Sequence, residues 1–199
     1  MPRTLVNGLV VYTTADWGAA PPLHDFQRTT PTLAVVHHME SANRQPLEGD
    51  AELQAAFELA RSTQAFHMGP KRGWSDSGQH WTVSKGGVVL EGRHGSLAAL
   101  LGGNCVVGAH SPGANSDWGT EHEGSYTKAD GPEMPAEQWA ATIALHAALT
   151  FYCKIDSASI QGHRDFVSTT CPGDYLYARL DEFRAAVHDA KLAIMKAHP

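Results

Sequence analysis

Gly162-His163-Arg164-Asp165-Phe166-Val167-Ser168-Thr169-Thr170-Cys171-Pro172-Gly173-Asp174 sets a histidine and a cysteine eight positions apart, in a stretch framed by Gly, Pro and Asp. An imidazole and a thiol are both donors that suit zinc. Eight positions exceed one helical turn, so the two side chains meet only where a strand end and a folded loop bring them together. Upstream, Val35-Val36-His37-His38 closes a short apolar run. That pattern predicts a buried strand delivering a histidine at its C-terminal end. One histidine from each of two strand ends plus one cysteine makes three protein ligands. Three ligands, with a fourth position left for water, is the arrangement of a catalytic zinc and not of a structural one. An enzyme is the expectation.

Working outward, Leu33 to His37 is the first strand, and Ala51 to Met68 has the spacing of an amphipathic helix with Leu53, Ala56, Phe57, Leu59 and Ala60 on its apolar side. Gly69-Pro70 stops it. Trp81 to Val83 and Val88 to Glu91 form a hairpin around Gly86-Gly87. Ser96 to Leu101 is a short helical turn, and Cys105 to Ala109 a further strand. Gly119-Thr120-Glu121-His122-Glu123-Gly124 alternates as a strand with both glutamates on one face. Lys128 to Pro135 is a loop, and Pro135 suits the first position of a helix running Ala136 to Tyr152. Asp174 reads as the N-cap of a last helix, Tyr175 to about Ala197. Residues 13–32 carry Trp17-Gly18-Ala19-Ala20-Pro21-Pro22 and little regular structure. Leu5 to Tyr12 is a strand or extended arm. Strands alternate with helices and no repeat is present, so the expected fold is one α/β domain over residues 1–199, a central mixed sheet flanked by helices.

Composition narrows the function. The chain has 199 residues, 42% of them hydrophobic and 18% charged, enough for one sizeable core. A net charge of −6 argues against a nucleic-acid surface, which needs a basic stripe. No run approaches the roughly 20 apolar residues of a membrane span. The N-terminal apolar stretch is broken by Asn7 and Gly8 and lacks a small-residue cleavage site, so no signal peptide is read. The expected product is made in the cytoplasm, a monomer. Three cysteines are too few for a disulfide framework; a Cys105–Cys153 bridge stays open, and two inert thiols beside one functional thiolate is the simpler account. Histidine is plentiful at 12 residues, so a lone histidine decides nothing.

Four patterns in order resemble the zinc-dependent N-acetylmuramoyl-L-alanine amidases of type 2, a group that includes the peptidoglycan recognition proteins. They are Val35-Val36-His37-His38, the hairpin from Gly78-Gln79-His80-Trp81 to Glu91-Gly92-Arg93, Gly108-Ala109-His110 with Asn115, and Gly162-His163-Arg164-Asp165 through Cys171-Pro172-Gly173-Asp174. Ala15-Asp16-Trp17-Gly18-Ala19 is similar to that family's N-terminal approach, and the likeness spans about residues 15–185. It implies cleavage of the amide between N-acetylmuramic acid and L-alanine in bacterial peptidoglycan. Action on the cell wall would then follow release or non-classical export.

The resemblance implies His37, His163 and Cys171 as zinc ligands. Zinc would lower the pKa of its water to about 7 and polarise the scissile carbonyl. Many relatives carry a supposed catalytic tyrosine where Gln79 stands, and glutamine cannot ionise. The recycling amidases that also lack it use a glutamate on a later strand, which aligns with Glu121, the expected general base; Glu123 is the reserve. Without the likeness, Glu121 is a solvated strand residue and Cys171 a buried thiol. Thr169 either positions substrate and donates to the oxyanion or only braces its loop. His110, Asn115, Gln79, Trp74 and Arg93 are the expected groove residues, with a turn-forming role the plain alternative for Asn115. Two other functions stay open: a peptidoglycan-binding module without turnover, which loss of the tyrosine favours and retention of Cys171 opposes, and a recycling amidase limited to soluble anhydro-muropeptides.

Overall fold

The computed structural model describes residues 1–128 and 133–198. Its strands are β1 (Arg3–Thr4), β2 (Val10–Tyr12), β3 (Arg28–Thr29), β4 (Ala34–His38), β5 (Trp81–Val83), β6 (Val89–Glu91), β7 (Cys105–Val106), β8 (Trp118–His122) and β9 (Ile160–Gly162). Its helices are α1 (Gly49–Met68), α2 (Ser96–Leu101), α3 (Ala136–Tyr152), α4 (Asp174–Ala178) and α5 (Leu180–Ala197). Seven strands form a mixed sheet in the order β1-β2-β6-β5-β8-β4-β9, and β3 pairs with β7 as a separate ribbon. The central strands β5, β8, β4 and β9 run parallel. All five residues of β4 are buried, as expected of a parallel strand with neighbours on both edges and helices on both faces.

The register fixes which side chains share a face. Leu90, Thr82, Glu121 and His37 are paired across four adjacent strands and so form one transverse row. Leu90 packs with Trp17, Ala56 and Ala60, so this row looks toward α1. The neighbouring row puts Val36 and Trp81 into the larger core, with Leu145, Leu149 and Phe183 from α3 and α5. The residues of chemical interest therefore stand on the α1 side.

Local differences from the sequence expectations have identifiable causes. The buried line of α1 is Glu52, Ala56, Ala60 and Gln64, one residue in four, with polar ends. Arg44 and Ser84 hold the Glu52 carboxylate, and Gln64 bonds Ala20 and Asp76. Leu53 and Leu59 are only half-buried. Of the stretch Leu5 to Tyr12 only Val10–Tyr12 is a strand: β2 pairs antiparallel with β1, which lies ahead of it, across a turn at Asn7-Gly8 where Gly8 has φ of +82°. β3 lies within the stretch read as irregular. The strand expected from Cys105 to Ala109 ends at Val106, because the Gly108 and Ala109 amides turn to the carbonyls of Asn115 and Gly78. Pro135 caps α3 in extended conformation rather than opening it. Gly173, not Asp174, is the cap of α4. The last helix is broken at Arg179, whose guanidinium is held by Glu182 and Tyr175 and lies over Trp139. Of the loop 128–135, residues 129–132 lie outside the described ones. No described helix is long and apolar enough to cross a membrane.

Candidate active site

A cavity of about 700 Å³ opens over the C-terminal ends of the parallel strands, lined by His37, Glu121, His163 and Cys171 among others. Such a volume suits a ligand of drug size or a segment of a polymer.

His37 arrives on β4, and His163 follows β9 in a single 3₁₀ turn closed by the Asp165 carboxylate on the Gly162 amide at 2.8 Å. The returning loop is tied back at 3.0 Å by the Arg164 amide on the Cys171 carbonyl, which brings the cysteine beside the histidine. Arg164 also donates to the Thr170 carbonyl and to Asp174. Gly173 ends the loop with φ of +89°, and a Cβ there would lie 2.0 Å from the Tyr126 carbonyl oxygen, so only glycine passes beneath that chain.

One donor atom from each of His37, His163 and Cys171 lies within 4.8 Å of the others. Tetrahedral zinc places a nitrogen and a sulfur ligand roughly 3.6 Å apart. The Nδ1 of His37 stands 3.7 Å from the Cys171 sulfur. The Nε2 of His163 is buried without a hydrogen-bond partner, a cost that a bound ion would remove. The His38 amide points at the Cys171 sulfur at 3.4 Å, which favours the thiolate a metal requires. The donor set therefore fits a zinc ion. Burial and the surrounding imidazoles hold His37 well below the usual histidine range, so its imidazole is neutral, the form that a metal would bind.

Glu121 sits opposite His37 in register on β8. Its side chain faces the cavity while Oε2 is shut from solvent and unpartnered. Burial pushes its carboxyl up to about 8. Glu123, the reserve candidate, is not available: the strand ends at His122, and the Glu123 carboxylate is spent on Arg44 and the Lys85 amide. His122 is buried on the opposite face and bonded to the His37 carbonyl.

Of the expected groove residues, Trp74, Gln79, His110 and Asn115 line the cavity, as does Thr169, the expected substrate-positioning or oxyanion residue. Trp74 stacks on His67 at 4.6 Å. Gln79 donates to Thr82 and leaves its Oε1 buried and unpaired. Asn115 accepts from the His110 and Ser111 amides, so it fastens its own loop. The Thr169 hydroxyl accepts from the Cys171 amide at 3.2 Å. Arg93 does not reach the cavity; its guanidinium donates to the Ser77 and Val107 carbonyls and covers Phe26. Sequence reading missed His67 and Arg72 in the wall. His67 stands in the last turn of α1 and Arg72 in the turn that follows it, closed by the Arg72 and Gly73 amides on the Gly69 carbonyl, and no local signal announces that this corner reaches the strand ends.

Residues 27–174 match the family model described as N-acetylmuramoyl-L-alanine amidase. The N-acetylmuramoyl-L-alanine amidase of Sus scrofa is 36% identical over 127 residues, which is 60% of this chain and 18% of that protein. Peptidoglycan-recognition protein LB of Drosophila melanogaster is 28% identical over 187 residues, 87% of this chain and 68% of that protein. The structure of Drosophila PGRP-LB superposes with a TM-score of 0.67 at 27% identity, covering 86% of this chain and 92% of that one. The amidase LysC from Clostridium intestinale, 22% identical with a TM-score of 0.65 over 89% and 97% of the two chains, shares the fold.

Proposed function

The chain belongs to the N-acetylmuramoyl-L-alanine amidase family, and from that premise we propose that it is a zinc-dependent peptidoglycan hydrolase cleaving the amide between N-acetylmuramic acid and L-alanine of the stem peptide. The observation that carries the reading is the complete donor set His37, His163 and Cys171 at the floor of an open cavity with Glu121 beside it. Zinc held by those three residues supplies Lewis acidity toward a carbonyl oxygen and makes water more acidic. Glu121 takes the proton of the attacking water and returns it to the departing amine of L-alanine. A carboxyl raised by burial and lowered again by a neighbouring cation works close to neutral pH, where one group serves as both base and acid. The His38 amide and the Thr169–Cys171 bond keep the sulfur in place while the chemistry proceeds.

A non-catalytic binder is the second reading, and Gln79 is what favours it: an amide that cannot ionise lines the cavity where the resemblance to the family implies a tyrosine. The deciding experiment incubates the purified, zinc-supplied protein with sacculi and counts new L-alanine amino termini, with a chelated sample as control. Release abolished by chelation supports the hydrolase. Tight binding to sacculi without release supports the binder. Release from soluble anhydro-muropeptides but not from sacculi supports a recycling enzyme.

A further inference from the structure

We propose that His110 is a positioning residue for the metal centre, fixing the tautomer and tilt of His37 so that Nδ1 is the atom offered to the ion. The inference rests on the zinc reading above and deepens it. The relay begins at a backbone carbonyl. His110 Nε2 lies 3.1 Å from the Asp117 oxygen. A carbonyl can only accept, so this ring nitrogen carries the hydrogen. The other nitrogen of a neutral ring is then bare, and His110 Nδ1 is an acceptor. His37 Nε2, 3.0 Å away, must be its donor. A neutral imidazole has one N–H, which leaves the lone pair of His37 on Nδ1. That is the atom standing 3.7 Å from the Cys171 sulfur.

Each end of this relay is anchored. The Asp117 side chain accepts from the Thr32 and Leu33 amides at 2.5 and 3.1 Å, which holds its own backbone in place. The His110 and Ser111 amides are both held by the Asn115 side chain at 2.9 Å. The His110 ring lies in a slot cleared by two glycines: a Cβ on Gly119 would come within 2.4 Å of it and one on Gly108 within 2.8 Å. The ring meets His37 edge-on, with planes at 87°. With both nitrogens committed, His110 has none left for substrate, and the relay takes the place of the groove contact expected from sequence.

An outer partner that orients a ligating histidine is worth about 10–100-fold in metal affinity. Zinc affinity is measured by chelator competition for the native protein, His110→Phe and His110→Asn. Phenylalanine keeps the ring volume without the acceptor, whereas the asparagine oxygen stands where Nδ1 was. The expected result is a loss of roughly 10–100-fold for His110→Phe and recovery of most of it for His110→Asn. In parallel, nitrogen NMR of metal-free native protein should show His37 protonated at Nε2, and His110→Phe should lose that preference. Equal affinity for native and His110→Phe, or no recovery in His110→Asn, overturns the relay, as does a His37 proton on Nδ1. If the native protein binds no zinc, the hydrolase reading fails, while the His37 tautomer still judges the relay.

Discussion

Loading the site with zinc should strip about two protons from side chains at pH 7, and one of the two should belong to Glu121. Burial, with the Glu121 carboxylate adding to it, pushes the Cys171 thiol up, so the metal-free protein holds it protonated and ligation releases one proton. Burial lowers both His37 and His163, so each is already neutral and releases none. Burial raises Glu121 to about 8. At pH 7 roughly nine molecules in ten therefore carry its proton, and a divalent cation alongside drives it off. The same shift makes the metal-free protein lose stability as pH climbs from the ordinary carboxylate range toward 8, because the folded state holds a proton that the unfolded state gives up. Calorimetric titration with zinc in buffers of different ionisation enthalpy counts the protons. Glu121→Gln should release about 0.9 fewer than native at pH 7, and the gap should shrink to about 0.1 at pH 9, where native Glu121 is already ionised. Any proton lost from water is common to both proteins, so the difference isolates the carboxyl. Equal counts at pH 7 would show that Glu121 lies outside the reach of the ion and would refute its role.

The other expectations concern ligation, loop anchoring and turnover. Glu121→Ala should keep stoichiometric zinc and lose about 10²–10⁴ in L-alanine release from sacculi, whereas Cys171→Ser and His163→Ala should lose metal and activity together, read by elemental analysis beside the same assay. Arg44→Leu leaves two buried carboxylates, Glu52 and Glu123, without their shared cation, and urea unfolding at pH 7 should show a loss of about 3–5 kcal/mol. Burial opposes ionisation of Glu52, but the Arg44, Ser84 and backbone bonds outweigh it and hold the carboxyl down to about 2. That part of the stability is present above pH 4.5 and fades as pH falls toward 2, so the gap between native and variant should narrow in acid; a gap independent of pH would sink the assignment. Gly173→Ala, with φ of +89° and no room for a methyl, should cost at least about 1–3 kcal/mol; unfolding indistinguishable from native would mean the loop passes Tyr126 differently.

Ala136–Tyr152 and the core of β4 were legible because long apolar patterns bounded by proline or by polar loops admit few alternatives. The convergence of His37, His163 and Cys171 was legible because donors from three places, two strand ends and a Pro-Gly loop, had one chemistry in common. Glu121 needed the likeness to relatives, since nothing in Gly119-Thr120-Glu121 by itself distinguishes a buried base from a solvated side chain. What could not be read depends on distant partners. Arg44, in a loop of polar residues, bridges Glu52 on α1 to Glu123 beyond β8, and the buried line of α1 keeps the expected Ala56 and Ala60 but takes in Glu52 and Gln64 in place of Leu53 and Leu59. The break at Arg179 has neither glycine nor proline to announce it; tertiary contacts with Trp139 and Tyr175 accompany it. His110 was visible as a residue of interest, but its use is set by one carbonyl seven positions away.

The close passage of Gly173 under the Tyr126 carbonyl separates two meanings that one motif carries. On the proposed zinc reading the cysteine at 171 is a matter of coordination, while the glycine two positions on is a matter of clearance between two stretches of backbone. On that reading, a chain of this fold without hydrolysis could do without the sulfur and still be obliged to keep the glycine in order to fold. When homologous chains are sorted into lytic and merely adhesive members, the glycine should therefore be given no weight, and the sorting should rest on the donor set and the residues beside it.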